Sequence, residues 1–321
     1  MTHQTESSVL DALAEEISAE GWELTTAPVR VDVGVNKATW RVGDSWLTCV
    51  PDTHEETMDR LRSLCAAVAE QAGETFEVPS FLPSRTGDFT PRVGGYAWSL
   101  TAHLGGRQPQ ASSLADMETV ASGLASLHRL LRDLPGDLAV SGENSVKLFD
   151  EGAALVADPR LEYTTEQRDI LARAEVLIRA RLDRLTRHPM QLVHGDPSNP
   201  NLRLGEAHPP VLTGLLDWDH ARVDLVLADV ATVAQTVILR SGSSAPLEML
   251  GNVLAAYGDA GGVPFTVDDA LTGLLMAKFE SVAHHGGRYL RGEGPHDIVM
   301  SQPEKIRTVL RLVEDRGVPG R

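Results

Sequence analysis

The chain has 321 residues, of which 42% are hydrophobic and 23% charged, and its formal net charge is −16 at pH 7. This length and composition are typical of a globular enzyme with one large core or two smaller ones. The negative charge disfavours nucleic acid as a partner, because a phosphate backbone requires a positively charged surface. It agrees with a neutral or cationic ligand, and equally with simple solubility.

The N-terminal residues have neither the basic region nor the apolar stretch of a signal peptide, and no run of eighteen apolar residues occurs. The sequence therefore predicts a cytoplasmic protein that does not contact a membrane. Its two cysteines, Cys49 and Cys65, do not have the spacing of metal ligands. We expect both to be small core residues in a reducing compartment.

The N-terminal third predicts a small, strand-rich lobe. In chain order, the patterns predict a helix over 8–20, strands over 28–42 and 45–50, a helix over 55–71 and a strand over 96–102. Gly43-Asp44 separates the first two strands, which indicates a hairpin. We expect the first helix to end at Gly21.

From about residue 112 the pattern becomes mainly helical. The apolar spacing predicts helices over 113–134, 165–187, 225–241, 245–260, 267–292 and 302–316. The sequence thus predicts an α+β protein with two domains, residues 1–103 and 104–321. A hinge is expected at Leu104-Gly105-Gly106-Arg107, where two glycines allow the backbone to bend.

Two aspartates and one asparagine form the most informative pattern of the chain. Asp196 and Asp217 each follow a short apolar run, so both should lie on loops at the ends of buried strands. Phosphoryl transfer needs a carboxylate that accepts the proton of the attacking hydroxyl, and hard oxygen ligands for Mg²⁺. Asp196 suits the first task, while Asn201 and Asp217 suit the second. The alternative for Asp196 is a turn or cap residue, since Asp-Pro-Ser-Asn is common in turns.

This pattern resembles the catalytic loop of the aminoglycoside phosphotransferase family, small-molecule kinases with a two-lobed, protein-kinase-like fold. The matching segments are His194-Gly195-Asp196 with Asn201, Leu215-Leu216-Asp217-Trp218, Ala228-Asp229-Val230-Ala231, and more weakly Leu124-Ala125-Ser126-Leu127-His128 and residues 34–42. The resemblance implies a small β-rich lobe over 1–103 that covers a nucleotide, and a helical lobe over 104–321 with the catalytic loop and acceptor site.

By the same resemblance, Asp196 would be the catalytic base, Asn201 and Asp217 would bind Mg²⁺, and His194 and Asp229 would support the loop. ATP or GTP would be the phosphate donor. The hairpin that begins at Gly34-Val35-Asn36-Lys37 resembles the segment that covers the nucleotide, which implies cofactor-binding roles for Gly34, Asn36 and Lys37.

The sequence departs from the family at the strand that should carry a phosphate-binding lysine. The expected position holds Thr48 or Cys49, and no cation is present there. Kinases use that lysine to hold the phosphates and to pair with a glutamate on the next helix, here Glu55 or Glu56. We hypothesise that Lys37 or Arg41 contacts the phosphates instead; the alternative is an exposed basic residue on an edge hairpin.

A second departure lies after Asp217, where Val223-Asp224-Leu225 replaces the family's Gly-Asp-Pro. Acidic residues near the site, Asp219, Asp224 and Glu280, could bind amines of an acceptor, although Asp219 and Asp224 also suit solvated or cap positions. The adjacent His284 and His285 should point to different sides of a helix, which disfavours a metal site.

Three functions remain open from the sequence. The first is a phosphotransferase acting on a hydroxyl of a small polar metabolite or antibiotic, cationic molecules included. The second is a Ser/Thr kinase that acts on a peptide natural-product precursor. The third is a non-catalytic, pseudokinase-like binding protein, which the missing lysine suggests. The complete set of Asp196, Asn201 and Asp217 favours the first.

Overall fold

The computed structural model describes residues 3–31, 37–207, 209–294 and 296–316; the side chains of 3–7 and of Glu55 are outside that description. The chain forms two compact units. The first comprises Met1–Gly105 with Gly214–Asp219, and the second comprises Gly106–Thr213 with His220–Arg321. The sequence predicted two domains, 1–103 and 104–321, and did not assign Gly214–Asp219 to the first of them.

The first unit is a small antiparallel sheet with two helices. Its elements are α1 (His3–Trp22), β1 (Val29–Val31), β2 (Ala38–Val42), β3 (Ser45–Pro51), α2 (Glu55–Ala72), β4 (Phe81–Leu82), β5 (Arg92–Val93) and β6 (Tyr96–Ala102). The strand order is β1-β2-β3-β6-β4, and β5 pairs with β6. The predicted strand over 96–102 and the hairpin at Gly43 are both observed, with Gly43 at a φ of +59° that favours glycine.

Apolar side chains from alternate positions of these strands form the core of the first unit. In the β3–β6 register, Leu47 lies opposite Leu100 and Cys49 opposite Trp98. The rings of Trp40 and Trp98 lie 5.5 Å apart between centroids. Helix α1 passes the predicted end at Gly21 by one residue, and the Trp22 indole there donates a 3.0 Å hydrogen bond to the Leu82 carbonyl.

Both cysteines are buried and free, as predicted. Burial raises the pKa of the Cys49 thiol to about 12, so Cys49 is a neutral core residue at physiological pH.

The second unit is mainly helical. Its elements are α3 (Leu114–Arg132), α4 (Ser145–Val156), α5 (Thr165–Leu185), β7 (Met190–Val193), β8 (Leu202–Leu204), β9 (Leu212–Leu215), β10 (Arg222–Leu225), α6 (Leu227–Arg240), α7 (Pro246–Asp259), α8 (Val267–Ser281), α9 (Gly287–Leu290), α10 (His296–Met300) and α11 (Gln302–Asp315). Strand β7 pairs with β10 and β8 with β9, while β9 continues into the segment 214–219 of the first unit.

Side-chain caps explain where the long helices begin. Ser113 accepts a hydrogen bond from the Asp116 amide at the start of α3, and Thr164 forms a capping box with Gln167 at the start of α5. Thr266 and Asp269 form another capping box at α8. These starts agree with the predicted helices over 113–134, 165–187 and 267–292.

Two predictions differ from the structure in detail. The single helix expected over 267–292 is interrupted by a π-helical turn at Val282–Gly286. The sequence analysis compared Val223-Asp224-Leu225 with the Gly-Asp-Pro segment of the family. In the structure these residues belong to strand β10, which pairs with β7 residue by residue. In the described part of the chain, no helix is both long and apolar enough to cross a membrane.

Candidate active site

The loop after β7 has a backbone that only glycine allows. Gly195 adopts a φ of +85°, and a Cβ there would lie 2.1 Å from the carbonyl oxygen of His220. Both features exclude a larger residue without a shift of the backbone. The glycine lets the chain turn immediately after β7, so that Asp196 follows the buried strand as the sequence predicted.

A fully buried carboxylate holds this loop. Asp229, in the first turn of α6, accepts hydrogen bonds from the backbone amides of His194 at 3.0 Å and Gly195 at 2.8 Å. Its Oδ2 also lies 3.0 Å from Nε2 of His128, whose Nδ1 lies 2.8 Å from the Tyr257 hydroxyl. Burial would raise the pKa of Asp229, but His128, His194 and the Gly195 amide hold it below its usual value.

Hydrogen bonds restrain both the backbone and the side chain of Asp196. Its backbone amide donates to Nδ1 of His194 at 3.2 Å. The side-chain amide of Asn201 donates to the Asp196 carbonyl at 3.0 Å and to Oδ2 of the Asp196 carboxylate at 3.1 Å. Asp196 and Asn201 therefore lie together on one short loop, and the amide nitrogen of Asn201 faces Asp196. This arrangement leaves the Asn201 amide oxygen for another partner.

The first unit contains a second charged cluster. Lys37, the residue before β2, lies 2.8 Å from Oδ1 of Asp217 and 2.6 Å from Oδ2 of Asp219. Burial lowers the pKa of Lys37, but Asp219 and Asp217 outweigh this effect and raise it above its ordinary value. Lys37 is therefore charged, and both carboxylates converge on its ammonium.

Comparison with family models identifies the family of this chain. A family model described as "Phosphotransferase enzyme family" (APH) matches residues 29–268, about three quarters of the chain. The chain belongs to the APH phosphotransferase family. The comparison with curated proteins found no significant match.

Solved structures of phosphotransferases have the same fold. The APH(2")-IIia structure with GDP and kanamycin has a TM-score of 0.69 at 16% identity, and covers 92% of this chain and 97% of that one. The APH(3'')-Id structure from Streptomyces rimosus has a TM-score of 0.58 at 21% identity, covering 87% and 99%. A microcompartment-associated aminopropanol kinase has a TM-score of 0.67 at 15% identity, covering 97% and 99%. The predicted α+β, protein-kinase-like fold, with a small β-rich N-terminal part and a larger helical C-terminal part, is confirmed.

This APH chain has no lysine on β3. Cys49 is buried in the core of the first unit, and Thr48 is half-buried beside it. Of the two predicted substitutes, Arg41 pairs with Asp44 at 3.1 Å and its guanidinium lies over the Trp46 ring at 5.1 Å. Lys37 is the one that lies with Asp217. The other predicted nucleotide contacts, Gly34 and Asn36, lie outside the described residues.

Glu55 and Glu56 were suggested as the glutamate partner of that lysine. Glu56 pairs with Arg60 one helical turn away on α2, at 2.6 Å. The side chain of Glu55 lies outside the described residues.

The donor set of the first unit fits a divalent cation. Asp217 and Asp219 already converge on one positive charge, and Oδ1 of Asp219 is buried without a hydrogen-bond partner among the described residues. Mg²⁺ prefers such hard oxygen donors. No group of three or more His, Cys, Asp or Glu side chains that could hold a metal occurs within the described ranges. A bound Mg²⁺ would therefore need ligands from phosphate and water as well.

Two carboxylates that the sequence suggested for amine binding are engaged within the second unit. Asp224, expected to be solvated or a cap, is fully buried; it lies 2.7 Å from Nε of Arg222 and accepts hydrogen bonds from the amide and hydroxyl of Ser145. Glu280 lies 2.8 Å from the same Arg222. A single buried guanidinium thus pairs with both carboxylates.

Sequence reasoning gave too little weight to Asp219. It pairs with Lys37 beside Asp217, in the pattern Asp217-Trp218-Asp219. The buried Trp218 between them donates to the Leu215 carbonyl at 3.1 Å. The strand period did not apply here, because Asp217 has a φ of +60° and Trp218–His220 forms a 3-10 helical turn.

Proposed function

We propose that this APH protein transfers the γ-phosphoryl group of ATP or GTP to a hydroxyl of a small polar molecule. Asp196 acts as general base, and Asn201 and Asp217 bind Mg²⁺. The observation that carries the proposal is the Asp196–Asn201 pair on a loop held by Asp229. Similar proteins have been solved with GDP and kanamycin, or with ADP and streptomycin.

In this proposal Asp196 receives the proton of the acceptor hydroxyl as the new bond to phosphorus forms. Such a positioned base contributes roughly 10² to 10⁴ in rate. The Asn201 amide restrains Oδ2 of Asp196, so Oδ1 is the oxygen that accepts the proton. Fixing the carboxylate in advance reduces the entropy lost when the acceptor binds.

Asn201 would contribute its amide oxygen and Asp217 its carboxylate to Mg²⁺, and Oδ1 of Asp219, which has no hydrogen-bond partner among the described residues, supports a further contact there. The bound metal neutralises phosphate charge and orients the donor.

Lys37 is proposed as the cation that replaces the missing lysine of β3. Its ammonium is held by Asp217 and Asp219 in this structure. A metal bound by these carboxylates would supply them with another cation, which would release Lys37 to contact the phosphates. The partial exposure of the Lys37 side chain, 22%, leaves room for this exchange.

The experiment that tests this proposal measures thermal unfolding with ATP and with GTP, each with and without Mg²⁺, in the native chain and in Asp217→Asn. At about a hundredfold excess over Kd, a ligand stabilises the folded state by roughly 2.7 kcal/mol. We expect a Mg²⁺-dependent shift that Asp217→Asn removes. No shift with either nucleotide would contradict the proposal and favour the non-catalytic alternative.

A further inference from the structure

A buried tyrosine of α7 is connected by hydrogen bonds to the loop of Asp196. Tyr257 is 2% exposed, and its hydroxyl lies 2.8 Å from Nδ1 of His128 on α3, which is 4% exposed. Nε2 of the same imidazole lies 3.0 Å from Oδ2 of Asp229. Asp229 accepts hydrogen bonds from the amides of the two residues before Asp196, at 3.0 and 2.8 Å. The path from Tyr257 to the loop is therefore continuous.

The hydrogen bonds of this path have one consistent direction. The Asp229 carboxylate only accepts, so Nε2 of His128 carries a proton and donates to it. In the neutral imidazole the other nitrogen is an acceptor, and Nδ1 receives the hydroxyl proton of Tyr257. Asp229 thus holds one nitrogen of the ring and Tyr257 the other, and together they fix its orientation.

Contacts outside this path determine where the Tyr257 ring lies. The turn after α7 passes directly over the ring, since a Cβ at Gly262 would lie 2.3 Å from Cε1 of Tyr257. Arg129 on α3 donates a hydrogen bond to the carbonyl of Ala260, directly after α7. This bond joins α7 to the helix that carries His128. The hydroxyl of Tyr257 is therefore brought to His128 by the packing of two helices and a glycine turn.

We infer that Tyr257 is a positioning residue for Asp196 and acts through His128 and Asp229. Its hydroxyl keeps the imidazole in the orientation in which Nε2 holds Oδ2 of Asp229. The same Oδ2 accepts from the His194 amide, so a displaced imidazole would also move the carboxylate that holds the loop. This inference rests on the proposed function, because it gives Tyr257 a part in placing the proposed base.

The alternative is a tyrosine that contributes only to the stability of the helical core. Tyr257 packs against Phe265, with ring centroids 6.0 Å apart. Tyr163 provides a matched control in the same unit, because it is 5% exposed and its hydroxyl donates to the Val299 carbonyl at 3.2 Å. Loss of either hydroxyl removes one buried hydrogen bond. Of these two bonds, the one from Tyr257 leads to Asp229.

The first arm of the test needs no enzymatic activity. Deuterium uptake at the His194 and Gly195 amides is measured by mass spectrometry for the native chain, Tyr257→Phe and Tyr163→Phe. Phenylalanine keeps the ring and removes the hydroxyl, and melting temperature should fall similarly in both variants. We expect exchange at these amides to rise roughly two- to tenfold in Tyr257→Phe alone. Equal exchange in the two variants would overturn the inference.

A double-mutant cycle tests whether Tyr257 acts through His128. His128→Gln keeps an amide donor for Asp229 but has no ring nitrogen in the place of Nδ1, so the Tyr257 hydroxyl loses its partner. In that background we expect Tyr257→Phe to change exchange at the two loop amides by less than about twofold. Independent, additive effects of the two changes would contradict the route through His128.

The second arm measures phosphoryl transfer with Mg²⁺, ATP or GTP and an acceptor panel of amino alcohols, hydroxy acids and sugars. We expect Tyr257→Phe to lower kcat roughly ten- to a hundredfold, because a misplaced base reduces the rate by such factors. KM for the nucleotide should not change, and Tyr163→Phe should keep the native kcat.

An unchanged kcat in Tyr257→Phe would overturn the inference, as would an equal fall in both variants or a change confined to KM for the nucleotide. The proposed function can fail separately. If the native chain transfers no phosphoryl group but Tyr257→Phe still increases exchange at the two amides, the link from Tyr257 to the loop stands and the phosphotransferase proposal fails.

Discussion

The second unit buries two charges in opposite ways. Asp229 is fully buried, and its carboxylate is matched by two backbone amides and by His128. Lys278 is nearly as buried, but its hydrogen-bond partner is the neutral Gln235. A satisfied buried charge stabilises a particular backbone conformation, whereas a buried charge without an ionic partner is unfavourable. Asp229 thus holds the loop through its hydrogen bonds, whereas Lys278 is a buried charge whose described hydrogen-bond partner is neutral.

The largest effect on stability is expected from Asp229→Asn. The change removes the negative charge that the two loop amides and His128 face, and it replaces one of the two buried acceptor oxygens by an NH2 donor. Breaking a buried pair of this kind costs about 3–5 kcal/mol. Urea unfolding checks the free energy, with Asp137→Asn as the control because Asp137 is exposed. A loss similar to that of the control would mean that Asp229 does not hold the loop.

The opposite sign is expected from Lys278→Met at neutral pH. The pKa of Lys278 is about 8 in the folded chain, compared with 10.5 for an ordinary lysine, a difference of about 3 kcal/mol against the charged form. Because methionine carries no charge to bury, we expect the variant to be more stable by up to about this amount. The gain should shrink as the pH rises from 8 to 10.5, since the unfolded lysine also loses its proton there. A variant that is less stable at pH 7 would contradict the contrast with Asp229.

Lys37→Met extends the comparison to a charge that is partly exposed. The Lys37 pair should contribute about 1 kcal/mol or less to stability because solvent screens it. Nucleotide binding should weaken more, by roughly tenfold or above, through loss of a charge-assisted contact. Isothermal titration with ATP or GTP measures this effect, with Lys147→Met as the control. We also expect tighter Mn²⁺ binding without nucleotide, since Asp217 and Asp219 lose their present cation. Unchanged nucleotide affinity would remove Lys37 from the site.

The smallest expected effect is the loss, at acidic pH, of the contribution of Asp229 to the free energy of unfolding. The pKa of Asp229 is below its usual value in the folded chain. Its stabilisation is therefore complete above about pH 4, the unfolded value, and is lost as the pH falls through the folded pKa. The difference in unfolding free energy between the native chain and Asp229→Asn should be constant at neutral pH and shrink in acid. A difference that instead grew below pH 4 would show that the pKa of Asp229 is raised by folding.

Local patterns predicted the fold and one part of the site well. The strand over 96–102 matches β6 residue for residue, because alternation and its flanking residues lie within the segment itself. The catalytic-loop motif is contiguous, and Asp229 entered it as part of a local match. Helix α4 was missed although Asn144 caps it, since no apolar periodicity was assigned to that stretch.

The sequence analysis misplaced Asp224, because the surroundings of this residue depend on tertiary contacts. Asp224 looked solvated, but its partner Arg222 and the cap of α4 at Ser145 bury it completely. Lys278 lies in an apolar helix, and its isolation from carboxylates follows from which residues α6 and α11 bring to it. The spacing of residues within one segment does not predict which charged groups other helices and strands bring close to it. A lysine within the apolar run of α8 was nevertheless a usable signal.

The most direct measurement of the central claim is phosphoryl transfer itself in the native chain and in Asp196→Asn. Each protein is incubated with Mg²⁺, ATP or GTP and the acceptor panel, and products that gain one phosphoryl group are quantified by mass spectrometry. Asparagine keeps the size of the side chain and can still contact Asn201, so folding should be retained, which melting temperature checks. The account predicts a product whose rate of formation falls by roughly 10² to 10⁴ in Asp196→Asn. A product formed equally fast by both proteins would contradict Asp196 as the base.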